Sequence, residues 1–109
     1  MNNLTRDDIL SERPVVVEPV EVRGHGQLFV REMTAGEQDR FQLAAGKDNV
    51  IRARLVAICA CDELGKRLFS DSDVVALSKQ PASLIDGIFD AAQRLNKLTE
   101  DAAQEMEKN

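Results

Sequence analysis

Apolar residues recur along this chain at two different spacings, and the change between them marks its organisation. In Leu4-Thr5-Arg6-Asp7-Asp8-Ile9-Leu10, Thr5 stands as an N-cap before two acids, which predicts a short helix over about residues 6–11. Pro14 ends it. A helix this short has little stability unless it docks, so residues 1–13 are expected to be a mobile N-terminal segment. From residue 14 the spacing becomes that of strands. Val15-Val16-Val17 is β-branched, and Val20-Glu21-Val22-Arg23 alternates. Gly24-His25-Gly26 interrupts, and Gln27-Leu28-Phe29-Val30-Arg31 follows. Two strands around Gly-x-Gly predict a β-hairpin, because glycine takes the positive φ such a turn needs. Pro19 belongs at the start of the first strand or on an edge.

The rest of the chain has helical spacing. Thr34-Ala35-Gly36-Glu37 is a capping box before a helix over about 35–45. Lys47-Asp48-Asn49 breaks the pattern. Residues 50–61 then read as a second helix, with Ile51, Leu55, Ile58 and Cys59 as its apolar stripe and Gly65 as its stop. Residues 66–69 form a brief extended link. Ser70-Asp71-Ser72-Asp73 caps a short helix holding Val74, Val75 and Leu77. Pro81, at N1, starts the most amphipathic helix, in which Leu84, Ile85, Ile88, Phe89, Ala92 and Leu95 recur at three- and four-residue steps. Leu98-Thr99 ends it, and Thr99-Glu100-Asp101 opens a terminal helix over 102–107. The expected fold is α+β and mainly helical: an N-terminal β-hairpin packed on four to five short helices. It comprises the segment 1–13, a single domain over 14–98 and an acidic C-terminal helix or tail over 99–109.

Composition narrows the range of partners. The 109 residues are 43% hydrophobic and 30% charged, which suits one folded domain. Aromatic residues make up only 4%, too few for a base-stacking platform. The formal charge of −5 argues against a nucleic-acid partner, which would require a basic face. Much of the imbalance lies near the C-terminus, where Glu100, Asp101, Glu105 and Glu107 face Lys108 alone. The start of the chain lacks a basic stretch followed by an apolar one, so no signal peptide is expected. The longest apolar run, residues 55–61, falls far short of the ~20 residues of a membrane span. A cytoplasmic chain with no membrane partner is expected.

Few residues carry reactive chemistry. His25, the single histidine, lies in the predicted turn with no nucleophile or acid placed beside it by the sequence. Cys59 and Cys61 stand two apart, a spacing that on a helix turns their thiols away from each other, and they read as small buried apolar residues. With one distant histidine they match no zinc spacing. The segment starting at Asp62 fails as a calcium loop, since its glycine is the fourth residue and its twelfth is Asp73. Gly24-His25-Gly26 lacks the Lys-Ser/Thr of a phosphate loop. No catalytic residue, metal site or cofactor is expected, and the chain does not read as an enzyme.

The order of features nevertheless resembles a known family. Val30-Arg31-Glu32-Met33-Thr34-Ala35-Gly36-Glu37-Gln38-Asp39 closes the hairpin. Arg52-Ala53-Arg54-Leu55-Val56-Ala57 leads into Cys61-Asp62-Glu63-Leu64-Gly65-Lys66-Arg67-Leu68-Phe69. Asp71-Ser72-Asp73-Val74 and Phe89-Asp90-Ala91-Ala92-Gln93-Arg94-Leu95-Asn96 follow, with Lys108-Asn109 at the end. Over roughly residues 15–109 this is similar to the tail assembly chaperones of long-tailed bacteriophages and prophages. Leu64 departs from the polar residue expected there.

The resemblance implies a chaperone in the bacterial host cytoplasm. It would bind the tape measure protein, keep it soluble and help recruit tail tube subunits, without remaining in the virion. The alternative is a permanent structural component, such as a small head–tail connector or tail terminator. The expected partner-binding residues are Leu84, Ile85, Ile88, Phe89, Ala92 and Leu95, supported by Ile51, Leu55 and Ile58, with only one edge of the stripe free. An uncovered hairpin edge also predicts weak self-association. Members of the resembled family are typically made in two lengths by programmed frameshifting. Glu107-Lys108-Asn109 can be encoded GAA AAA AAC, which contains a slippery heptamer. The longer form is then expected to contact the tail tube protein.

Overall fold

The computed structural model describes residues 2–47 and 49–98 of the protein. Its first element, α1 (Arg6–Leu10), is closed by reciprocal hydrogen bonds: the Thr5 hydroxyl accepts from the Asp8 backbone N–H, and the Asp8 carboxylate accepts from that of Thr5. No residue of α1 is buried. β1 (Val17–Val22) and β2 (Gly26–Arg31) form the hairpin, with Val20 opposite Leu28 and Pro19 opposite Phe29. Gly24 and Gly26 take φ of 83° and 129°, as the turn requires.

β1 is an edge of the sheet. The Glu32 N–H donates to the Val16 carbonyl at 2.9 Å. Ladder alternation therefore turns the backbone groups of Glu18, Val20 and Val22 toward β2, and those of Val17, Pro19 and Glu21 outward. Pro19 thus stands where its missing N–H breaks no internal bond.

The predicted capping box opens α2 (Ala35–Ala45), whose one buried residue is Phe41. α3 (Ile51–Cys59) is the central helix. Ala53 and all five residues from Leu55 to Cys59 are buried, and it packs against α2, α4 and α5, the last two defined below. The helix expected to run to residue 61 stops at Cys59, and Ala60–Cys61 form a short strand, β3. β3 pairs antiparallel with β2, Val30 opposite Ala60 and Phe29 opposite Cys61, giving the order β1-β2-β3. The chain then turns. Asp62 Oδ1 accepts from the N–H groups of Leu64 and Lys66, and Gly65 has φ 85°. Gly65 thus serves this turn and does not stop the helix. Residues 66–69 are partly paired: Arg67 bridges to Cys61, and the Leu68 N–H donates to the Ala60 carbonyl.

Leaving the helix early exposes carbonyls at the end of α3, which has no basic residue in its last turn. Two distant arginines supply what is missing. Arg67 Nε donates to the Ala57 carbonyl at 3.0 Å, and Arg31 Nε to that of Ile58 at 3.3 Å. Each satisfies an orphan acceptor and places positive charge at the negative end of the helix.

A 3-10 turn, Asp71–Asp73, leads into α4 (Val74–Ser78), and the Asp73 carboxylate accepts from the Ser70 N–H at 2.8 Å. α5 (Ala82–Leu95) follows. Pro81, expected inside the first turn, lies just before it at ψ 139°, in the N-cap position. α5 ends when the Leu98 N–H returns to Gln93 and that of Lys97 to Arg94, with Lys97 left-handed at φ 59°. The terminal helix expected over 102–107 lies outside the described residues.

One face of the sheet (Val20, Val22, Leu28 and Val30) covers Ala53, Val56 and Ala57 of α3 and Ile85, Ile88 and Ala91 of α5, with Val74 and Leu77 closing the cluster. A second cluster joins Met33, Phe41, Leu55, Ile58, Cys59 and Ala92. The fold is α+β, with a small antiparallel sheet beside mostly helical structure.

Candidate functional site

The apolar stripe expected to bind a partner divides in two. Ile85 and Ile88 are 5% exposed and Ala92 is fully covered, so these three belong to the core. Leu55 and Ile58 are buried as well. Leu84, Phe89 and Leu95 are half-buried along the flank of α5, as is Ile51 at the start of α3. The structure does not bring the half-buried residues into one surface. Leu84 and Leu95 are three helical turns apart, and Phe89 packs against both apolar clusters.

Around Leu84 the geometry forms a concave surface. Phe69 from the link, Ala76 and Leu77 from α4 and Leu84 from α5 line a groove of about 310 Å³, edged by Asp73 and Gln80. Val75, 60% exposed, lies next to Ala76 on α4. Sequence periodicity had pointed to one wall only. The α4 wall was legible as a short capped helix, but its five residues are too few to show a periodic face. Phe69 stands in a link with no pattern at all.

The polar groups that anchor this scaffold lie elsewhere. Arg31 donates to Glu37 at 2.5 Å, with side-chain exposures of 9% and 16%. Asn96 binds three segments together: its Oδ1 accepts from the Met33 N–H at 2.7 Å, while its Nδ2 donates to the Ala92 carbonyl at 2.9 Å and lies 3.4 Å from that of Arg31. Arg52 reaches Asp86 at 2.6 Å, linking α3 to α5 at the surface. Cys59 and Cys61 are free and buried, and burial pushes the Cys59 thiol up to about 12.

His25 has a neighbour that the sequence did not reveal. The hairpin turn reaches the first turn of α5, and Nε2 lies 3.2 Å from Ser83 Oγ. Both residues are exposed, and the contact ties the hairpin to α5. Among the described residues, no group of three or more His, Cys, Asp or Glu is placed to hold a metal ion. No helix among them is long and apolar enough to cross a membrane.

The arrangement presents an apolar groove between α4 and α5, which suits the docking of another chain. Neither curated proteins nor solved structures yield a match to this chain. The family model described as phage tail assembly chaperone, TAC, matches residues 2–106. With nearly the whole length matched, the chain belongs to the phage tail assembly chaperone family.

Proposed function

We propose that this chaperone binds the tape measure protein of its phage, keeps it soluble and helps recruit tail tube subunits, in the host cytoplasm and without remaining in the particle. The observation that carries the reading is the family match over residues 2–106. The α4–α5 groove supports it, because a long helical client presents apolar side chains at helical spacing to a complementary trough. Leu84 is the part of the predicted stripe that enters this groove, while Phe89 and Leu95 stand outside it. Ile85, Ile88 and Ala92 act behind them by holding the helix in place. Recruitment of tube subunits belongs to a longer frameshifted form. Its test is the gene itself, which must carry a slippery heptamer across the codons for Glu107, Lys108 and Asn109 and an open frame beyond.

Co-expression tests the client. The tape measure protein is expected in the soluble fraction with the wild-type chaperone and in the pellet with Ala76→Glu, a change at an exposed groove residue that leaves the core intact. Equal solubility with and without the chaperone would overturn the client assignment. Mass spectrometry of purified virions tests the transient role, since a structural component would be found in them.

A further inference from the structure

The α4–α5 groove is apolar except at one end. Phe69, Ala76, Leu77 and Leu84 form its walls, and the charged group in the lining is the half-buried carboxylate of Asp73. That carboxylate is only partly engaged. Its Oδ2 takes both contacts with Ser70, accepting from the backbone N–H at 2.8 Å and from the hydroxyl at 3.3 Å. Among the described residues Oδ1 has no hydrogen-bond partner, and Asp73 joins no ion pair. Asp71, two residues earlier, is the paired acid of this turn, with Arg67 at 3.2 Å. Lys79 lies past the other end of α4, about 9 Å away at the rise of a helix.

In the free protein water solvates Oδ1. An occupant that brought only apolar surface would strip that water and leave a charge without a partner, which is costly. An occupant that brings a cation offsets the cost with a charge-assisted hydrogen bond. The position of the cation follows from the lining. Asp73 and Leu77 stand four residues apart, so their side chains are neighbours at about 5–6 Å. A cation over Asp73 is therefore within one helical turn of an apolar side chain resting on Leu77. Residues 99–109 of this chain, with Glu100, Asp101, Glu105 and Glu107 against Lys108, suit the groove poorly.

We propose that the segment seated in this groove is helical and carries a lysine or arginine one turn from its apolar side chains, with the cation on Asp73 Oδ1. The inference rests on the groove being the client site, and it makes Asp73 the residue that selects among segments of the client.

Peptides tiling the tape measure protein, titrated into the full chain by fluorescence anisotropy, test this. The tightest binders are expected to carry Lys or Arg three or four residues from a pair of apolar residues. Replacing that cation by Gln weakens binding to the wild-type chain about tenfold, and Asp73→Asn weakens the native peptide by the same factor. The two changes together cost no more than either alone. Asn keeps an acceptor for the Ser70 N–H, and unchanged amide shifts in α3 and α5 verify the fold. Binders that are lost in Ala76→Glu but respond to neither charge change overturn selection by Asp73 and leave the client reading standing. An acid in place of the cation in the tightest binders does the same. Binders indifferent to Ala76→Glu, or no binders, overturn the client reading and this inference with it.

Discussion

Arg31 combines two tasks usually given to separate side chains. Its Nε caps the Ile58 carbonyl while its terminal nitrogen pairs with Glu37 at 2.5 Å, almost out of contact with water. Arg31→Met leaves a carboxylate and a helix carbonyl without that partner, and removing one member of a buried ion pair costs about 3–5 kcal/mol. Arg52→Ala removes a pair whose members are 55% and 45% exposed, worth about 0–1 kcal/mol. Urea unfolding of the two variants should separate them clearly, and equal losses would refute the role given to Arg31. Cys59 gives a second test at this level. Burial raises its pKa from the ordinary 9.0 to about 12, against the opposing pull of Arg31. The folded thiol keeps its proton where the unfolded one ionises. Stability is thus fully present below pH 9 and falls as pH rises toward 12, by about 1.4 kcal/mol per pH unit. Burial raises Cys61 in the same direction. Cys59→Ala should flatten the decline between pH 8 and pH 10 in denaturation curves, and an unchanged slope would exclude Cys59 as its source.

Within the helices, two glycines that look alike in sequence have opposite surroundings. A Cβ on Gly36, in the first turn of α2, would meet only the tip of Arg40 at 3.6 Å. One on Gly87, in α5, would press into Val22 Cγ1 at 3.0 Å, and Val22 is buried. Gly36→Ala is expected to stabilise by about 0.5–1 kcal/mol through helix propensity. Gly87→Ala is expected to destabilise, with Val22→Ala in the same chain relieving the clash. Thermal melts of the variants measure both effects. The helices and hairpin were legible because caps and punctuation mark them locally: Thr5, Thr34, Ser70 and the Gly24–Gly26 turn all act where the sequence puts them. The end of α3 was not legible. Ala60 and Cys61 continue an apolar helical run, and what makes them a strand is pairing with Val30 and Phe29, some thirty residues earlier. The binding stripe was only half legible for the same reason. Periodicity finds the apolar face of α5, but which part of it the sheet and α3 cover is decided by tertiary packing.

For the molecule as a whole, the free edge of the sheet is the expected place for copies to pair. The uncovered hairpin edge predicts strand pairing, but Pro19 interrupts the outward row of donors on β1. An edge proline of this kind blunts pairing between chains. Pro19→Val is accordingly expected to strengthen concentration-dependent association. Sedimentation equilibrium provides the measurement, and an unaltered monomer would show that the edge is protected by other means.

α3 is packed against the other helices and sealed at its end by arginines from two other segments, whereas α1 buries nothing. Opening the molecule locally is thus easy at one end and hard in the middle. Amides of Val56 to Cys59 are expected to exchange with deuterium only when the entire domain unfolds, and those of α1 within the dead time of the measurement. Between these limits α4, five residues long and pinned chiefly by Val74 and Leu77, is expected to lose protection before the central helix does. If a helical client lies in the groove as proposed, opening at α4 would widen it without unfolding the chaperone, and one small scaffold would fit side chains that change along that helix.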